Sequence, residues 1–392
     1  MQAAFLVAGY RTAVTRAKRG GFRFYRPDDL AVEVIRGLLN ALPQLDPAEV
    51  DDLIVGNAVP EAEQGLQIGR MISVRVLGTG VPGMTVNRYC ASGLESISIG
   101  HAKITCGMAD CIIAGGTESM SLVPVAGWKT VPNYRVASAT PDYYLGMGLT
   151  AEAVASEYRI SREDQDMFAF QSHRKALNAL DKGYFKEGIL PIEVEEVYVD
   201  NSGKKQQRLF TVDKDEGPRA DTSPEALAGL KPVFAAGGSV TAGNSSQTSD
   251  GASFVILMSE KKCTELKVKP IGRLVSCAVA AVHPRIMGMG PVEAVPKALK
   301  QAGITLNQIA LVELNEAFAS QSLAVIRALG LDPAKVNING GAIALGHPLG
   351  CTGSKLTVQL LNDLKRTHQQ YGLVTACVGG GQGIAGVIEH LQ

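Results

Sequence analysis

Two cysteines and a histidine in this chain each sit among the small residues that would let a substrate reach a reactive side chain. Cys90 lies in Asn87-Arg88-Tyr89-Cys90-Ala91-Ser92-Gly93, His347 in Gly346-His347-Pro348-Leu349-Gly350, and Cys377 opens Cys377-Val378-Gly379-Gly380-Gly381-Gln382-Gly383. Two thiols and one imidazole are suited to acyl transfer through a thioester, because one sulfur can carry the acyl group while the other moves protons. Cys90 follows the apolar Met84-Thr85-Val86 and precedes Ala91 to Ile104, whose Leu94, Ile97, Ala102 and Ile104 fit a buried helix. The thiol is therefore expected at a helix N-terminus, where the macrodipole and free NH groups favour a thiolate and lower its pKa from about 8.5. Buried cysteine is more often inert packing, so the small Ala91, Ser92 and Gly93 beside it carry weight.

His347 stands in a glycine-rich stretch, Gly340 to Gly350, with a proline directly after it. Such a segment is neither regular helix nor central strand and reads as a rigid loop presenting an imidazole. His101, His173, His283, His368 and His390 lack that setting and read as solvated or hydrogen-bonded bystanders. The glycines after Cys377 suggest exposed backbone NH groups, either an anion nest or an oxyanion hole. A dinucleotide fingerprint competes for this motif, but Ile384 to Ile388 is strand-like and runs to the chain end, leaving no room for a βαβ unit. Asn315-Glu316, after an apolar strand from Ile309 to Leu314, offers an amide and an acid, although such a pair often forms only a turn.

These residues need a scaffold. With 392 residues, two or three packed units or one duplicated fold are expected, and hydrophobic residues at 46% with charged residues at 19% suit a globular protein. Lys plus Arg equals Asp plus Glu at 38 each, which argues against nucleic acid and anionic membrane as partners. Seven cysteines, an odd number, show neither a disulfide framework nor zinc spacing. Reduced thiols and no metal are expected, and Cys106 and Cys111 read as packing between a helix end and a strand start. No leader, peroxisomal address or membrane-spanning stretch is visible, so a soluble, cytoplasmic protein is expected.

Two stretches echo each other. Asp52 to Ala58 parallels Ala310 to Glu316, each a strand ending in Asn; Val86-Asn87 and Val336-Asn337 each precede a turn and an apolar helix; Cys111 to Gly116 parallels Thr375 to Gly380. A duplicated α/β fold follows. Between the halves, about 121–243, the pattern changes to aromatic, Pro/Gly-punctuated and charged segments that read as an insertion outside the core. Within it a helix begins at Ser161, an N-cap with an acid three residues on. Leu122 to Val136, with Trp128, suits an assembly surface or a substrate cover.

In order, spacing and flanking residues, the Cys90, Asn315-Glu316-Ala317-Phe318-Ala319, His347 and Cys377 motifs resemble those of the thiolase family over nearly the whole chain. The resemblance implies an α/β thiolase fold of two similar βαβαβ-type halves in a layered αβαβα core. An N-terminal half would cover 1–262, with a loop domain inserted at about 121–243 over the CoA site, and a C-terminal half would cover 268–392. It implies that Cys90, activated by His347, attacks the 3-keto carbon of a 3-ketoacyl-CoA, releasing the enolate of acetyl-CoA. His347 with a water held by Asn315 would stabilise that enolate, Cys377 would manage the protons, and the NH groups of Cys90 and Gly379 would hold the later oxyanion. Glu316 would orient the site. By the same resemblance Met147, Arg219, Phe234, Ser246, Met287 and Phe318 lie along the CoA path, with coenzyme A as substrate and no permanent cofactor.

Gly243-Asn244-Ser245-Ser246-Gln247 resembles the degradative thiolases of fatty-acid β-oxidation, whereas the biosynthetic enzymes tend to have Ala and Gly at positions 245 and 247. An acetyl-CoA acetyltransferase is the alternative. A decarboxylating ketoacyl synthase would have a second histidine at Asn315 and no Cys377; a non-catalytic acyl-CoA-binding relative would have no need of all four motifs, whereas a scaffolding subunit of a β-oxidation complex stays open, since thiolase subunits can be both active and complexed. A homodimer or homotetramer is implied, with a hydratase/dehydrogenase of β-oxidation as a possible partner.

Overall fold

The computed structural model describes residues 2–391. A first run of strands comprises β1 (Ala4–Thr12), β2 (Asp52–Gly56), β3 (Gly83–Val86), β4 (Cys111–Ser119) and β5 (Ser249–Ser259). A second comprises β6 (Gly272–Ala281), β7 (Leu311–Leu314), β8 (Tyr371–Val378) and β9 (Gln382–His390). In space the first run is ordered β3-β2-β4-β5-β1, parallel from β3 to β4 and antiparallel thereafter. The second is ordered β7-β8-β9-β6, with β7 and β8 parallel and the rest antiparallel. Val336 makes a parallel bridge to Val312 on the free side of β7, where β3 stands in the first run. Both halves thus repeat the order third, second, fourth, fifth, first. They meet where Leu6 of β1 pairs antiparallel with Gly272 of β6.

Seven helices matter to the site: α1 (Pro27–Ala41), α2 (Ile68–Val76), α3 (Ser92–Thr105), α4 (Arg162–Asp181), α5 (Gly290–Ala302), α6 (Ala319–Leu329) and α7 (Leu349–Thr367). Leu94 and Ile97 of α3 and Leu356 and Leu360 of α7 share one cluster with Ile54, Ile112 and Leu257 of the first half and Val374, Ala376 and Ile388 of the second. α3 and α7 therefore form a layer between two groups of strands. The other face of the first group packs on α1 and α2, and that of the second on α5 and α6. The resulting helix, sheet, helix, sheet, helix order is the αβαβα core expected, and it explains why β4 and β5 are buried at every position: both faces are covered.

Side-chain facing corrects the internal pairing read from sequence. Leu53 and Val55 face the outer helices, as do Val312 and Leu314, whereas Ile54 and Leu311 face the central layer. Asn57 therefore cannot correspond to Asn315; the residue of β2 that faces α3 as Asn315 faces His347 is Gly56, whose Cβ would lie 2.5 Å from the Ser92 carbonyl carbon. The 121–243 region is also more than an insertion. Ile189 and Leu190 pair in parallel with Arg11 and Thr12 of β1, and Phe185, Ile192, Val194 and Val212 join the cluster of α1 and α2. The rest includes α4, capped by Ser161 Oγ at 3.0 Å from Asp164 N, and a hairpin of Ile192–Val199 with Lys205–Val212. No helix among the described residues is long and apolar enough to cross a membrane.

Candidate active site

Cys90 lies in the single 3-10 turn Tyr89–Ala91 that leads into α3, and Tyr89 adopts φ +44°, a left-handed backbone that few non-glycine residues take. The turn is tied by Ser92 Oγ, which donates to Tyr89 O at 2.7 Å and accepts from Arg88 N at 2.9 Å. His347 lies just ahead of α7. The two helices touch backbone to backbone near their starts: a Cβ on Gly93 would stand 2.7 Å from Ser354 N, and one on Gly353 2.2 Å from Leu94 N. Only glycines permit this approach, which sets the starts of α3 and α7, two residues after Cys90 and His347 respectively, against each other.

Cys90 was expected as a thiolate, and the surroundings of this partly accessible thiol oppose that. Burial pushes its pKa up to about 12, although its own NH and that of Gly379 point at the sulfur and pull the other way. His347 is pushed down to about 3, first by burial and then by the nearby Lys355 ammonium. Both groups are neutral in the free protein. The imidazole's tautomer follows from its partners. Thr352 Oγ1 donates its one proton to Pro348 O at 2.9 Å, so at 2.6 Å from Nδ1 it accepts, and Nδ1 carries the hydrogen. Nε2 is left as a base, and at 3.3 Å it faces Asn315 Nδ2. Asn315 Oδ1 has no partner within the protein.

The loop before His347 is held from three sides. Its NH donates to Gln247 O and Ser249 Oγ, each at 3.2 Å. Lys355 Nζ, buried on α7, donates to Gly346 O at 3.2 Å. Glu316 accepts from Ser172 Oγ at 2.7 Å, Asn337 Nδ2 at 2.8 Å and Ile343 N at 3.2 Å, and so anchors residues 341–345. It touches no reacting group, in keeping with an orienting part. Glu118, fully buried at the end of β4, accepts from Ala58 N and Gly350 N at 2.8 Å each and fastens the start of α7 to the end of β2.

Cys377 is the penultimate residue of β8, and the glycines after it divide their work. Gly380 and Gly381 take φ +78° and +83° to turn β8 into β9, while Gly379 offers its NH to Cys90. Burial raises the Cys377 pKa, and ionisation of Cys90 nearby would raise it further. Cys377 belongs to a small apolar cluster with Met287, Phe318, Ala317 and Met147. Phe234 closes on Phe318 edge to face at 6.1 Å, and Met147 Sδ is 3.8 Å from the Cβ position of Gly379. Tyr143 lies over Gly380 at 3.1 Å by the same measure, beside Tyr89, whose phenol pKa burial and then Tyr143 raise.

Ser246 sits between these parts, its NH donating to Ala317 O at 2.9 Å. Arg219 is not in the chamber. It lines a separate hollow of about 220 Å³ with His173, Gly243 and Gln247, and Gln247 Nε2, donating to Gly217 O at 3.1 Å, connects that hollow to the His347 loop. The fold thus brings Cys90 near Gly379 and Cys377 and Asn315 to His347, and packs Met147, Met287 and Phe318 round Cys377 with Phe234 against Phe318. Thr352 and Glu118 escaped the sequence reading, Gln247 was read there only as a mark of subtype, and His173 is hydrogen-bonded, its Nδ1 accepting from Arg219 N at 3.2 Å. Among the described residues no group of three or more His, Cys, Asp or Glu could hold a metal.

Residues 4–261 match the family model for the thiolase N-terminal domain and 268–390 that for the thiolase C-terminal domain. A 3-ketoacyl-CoA thiolase of Bacillus subtilis (strain 168) is 51% identical over 390 residues, 99% of this chain and 100% of that protein. The crystal structure of human mitochondrial 3-ketoacyl-CoA thiolase superposes with a TM-score of 0.89 at 39% identity, covering 100% of this chain and 99% of that one. That of Bacillus anthracis acetyl-CoA acetyltransferase gives 0.89 at 37% identity with the same coverage. The chain belongs to the thiolase family.

Proposed function

We propose that the protein is a 3-ketoacyl-CoA thiolase, an acyltransferase that uses CoA to cleave a 3-ketoacyl-CoA into acetyl-CoA and a shortened acyl-CoA in fatty-acid β-oxidation. The observation that carries this reading is the Cys90 sulfur, met by two backbone NH groups and a second thiol in an apolar chamber. Because Cys90 and His347 are both neutral, attack on the C3 carbonyl is coupled to transfer of the thiol proton to His347 Nε2. The C2–C3 bond then breaks, leaving an acyl group on Cys90 and the enolate of acetyl-CoA. The imidazolium and the Asn315 amide stabilise the enolate oxygen, and Cys377 gives its proton to C2. Cys377 thiolate next takes the proton of an incoming CoA thiol, which attacks the acyl-Cys90 thioester. The tetrahedral oxyanion rests on the NH groups of Cys90 and Gly379, and its collapse returns the proton from His347 to the Cys90 sulfur.

In this reading CoA is a substrate and no cofactor is permanently bound. Its arm runs from Arg219 past Ser246 to Cys377, between Met147, Phe234, Met287 and Phe318. The chain divides near residues 262–268 into two thiolase halves, with the loop domain at about 121–243. The exposed Trp128 and Tyr134, 66% and 83% accessible, support a homodimer or homotetramer, and a β-oxidation hydratase/dehydrogenase as partner and a cytoplasmic location accord with the substrate. The test is CoA-dependent loss of acetoacetyl-CoA and of a long-chain 3-ketoacyl-CoA, with intact mass to find acyl-Cys90. We expect both to be cleaved and the adduct to vanish in Cys90→Ala; Cys377→Ser should lose proton exchange at C2 of acetyl-CoA. Cleavage of acetoacetyl-CoA alone would assign an acetyl-CoA acetyltransferase, and an adduct that survives in Cys90→Ala would overturn the mechanism.

A further inference from the structure

The turn after β1 is strongly basic, with Arg16, Lys18 and Arg19 within four residues of a chain whose acidic and basic residues balance at 38 each. It packs on the segment that carries Arg219. Arg16 N and Gly21 N donate to the Glu216 carboxylate at 3.3 and 2.9 Å, and Arg16 Nη2 donates to Gly217 O at 3.2 Å. Arg16 and Arg219 line one surface hollow of about 350 Å³, whose only acid is Asp221. Arg219 and Asp221 also line the adjoining hollow that reaches Gln247. Among the described residues neither arginine forms an ion pair, nor do Lys18 and Arg19, and Arg16 Nε is buried with no hydrogen-bond partner.

A guanidinium NH stripped of water and left unpaired is costly, and structures rarely leave one without a purpose. A guanidinium fork matches phosphate oxygens, and two forks facing one hollow suit an anion of several charges. The neighbouring His173 reinforces this geometry. Its ring is held neutral, with a pKa of about 4, first by burial and then by Arg219 and Arg16, so its Nδ1 stays an acceptor that fixes the Arg219 backbone.

We propose that Arg16, flanked by Lys18 and Arg19, joins Arg219 in binding the phosphate-bearing nucleotide end of CoA, an assignment that rests on the thiolase reading of the chamber beyond. Adenosine 3′,5′-bisphosphate is the probe, because it carries the nucleotide phosphates without the reactive thiol. By titration calorimetry Arg16→Gln should bind it about tenfold more weakly than wild type, the size of one charge-assisted hydrogen bond. Lys18→Gln/Arg19→Gln should lose about two- to threefold, an effect that salt abolishes. Arg16→Lys, which keeps the charge and loses the fork, should fall between and serves where Arg16→Gln does not fold. Thiolysis should show the same loss as a raised KM for CoA with kcat kept, and no loss with pantetheine as acceptor, which has no phosphate. Equal bisphosphate affinity in wild type and both Arg16 variants, or no binding to wild type, would overturn the proposal. Absence of thiolysis in wild type would instead refute the reaction reading, since the calorimetry does not depend on turnover.

Discussion

Thr352→Val tests the tautomer on which His347 depends. Thr352 is fully buried, and valine copies its shape, so what is lost is one oxygen 2.6 Å from Nδ1. Pro348 O keeps the NH groups of Cys351 and Thr352, at 3.0 and 2.9 Å, and does not suffer. The imidazole has two ways to respond. It can keep the hydrogen on Nδ1, unpaired, at a cost of about 1–3 kcal/mol. Or it can move the hydrogen to Nε2, where it meets the Asn315 amide NH at 3.3 Å and can no longer accept the thiol proton. Either response falls on the step that activates Cys90, so kcat/KM should drop by about 5- to 150-fold, the equivalent of that cost, with the loss in kcat. Thr352→Ser restores the oxygen and should recover activity to within a few-fold, while melting lower for its missing methyl, worth about 0.8 kcal/mol. The assay is thiolysis of acetoacetyl-CoA over a pH series for all three proteins. Wild-type kcat and an unchanged pH profile in Thr352→Val would refute the assignment, as would equal loss in the serine and valine variants.

Two further outcomes follow from packing and burial. Gly353→Ala would place a Cβ 2.2 Å from Leu94 N, a backbone atom that cannot move aside without parting α3 from α7. Chemical denaturation should show at least about 1–3 kcal/mol lost and thiolysis should fall as Cys90 and His347 separate; Gly80→Ala, with open space around it, should stay within about 0.5 kcal/mol of wild type. His173, at about 4 when folded, titrates at about 6.5 when unfolded. Between these values the unfolded chain binds the extra proton, so this histidine's contribution makes stability fall as pH drops through that window, by about 1.4 kcal/mol per unit. His173→Gln should therefore lose less stability than wild type between pH 6.5 and 5, a difference of about 2 kcal/mol, and parallel curves for the two proteins would refute the buried neutral state.

The parts of the site that were legible in the sequence are those whose neighbours are constrained locally. Cys90, His347 and Cys377 each stand beside glycines or proline, and such residues mark a backbone that must turn or be approached. Thr352 carries no such mark. A threonine one turn into a helix looks like any other, and it matters only because the chain reverses at Pro348 to set its hydroxyl against the preceding imidazole. His173 was read as solvated or hydrogen-bonded, but its partner, Arg219, is 46 residues away and was not legible. The duplication was legible as an order of elements, yet the equation of Asn57 with Asn315 failed because a shift of one residue in a strand reverses its faces. The core role of Ile189 and Leu190 was hidden because two residues are too few to show a strand's alternation.

The charge state of Cys90 was misread for a different reason, one of magnitude. A helix N-terminus is worth about 0.3–1 kcal/mol to an adjacent anion, less than one pKa unit at about 1.4 kcal/mol each. Burial can move a pKa by up to about 3–5 units, and what closes on Cys90 comes from far away in sequence, as Gly379 does. The dipole could be read from the helix alone, but the larger opposing effect needed the assembled fold. The outcome also suits the chemistry. A thiol kept neutral until a carbonyl oxygen can take the developing charge is less exposed to oxidation and stray electrophiles than a standing thiolate, and the two NH groups that fail to ionise the free sulfur are placed to stabilise the tetrahedral oxyanion that forms beside it.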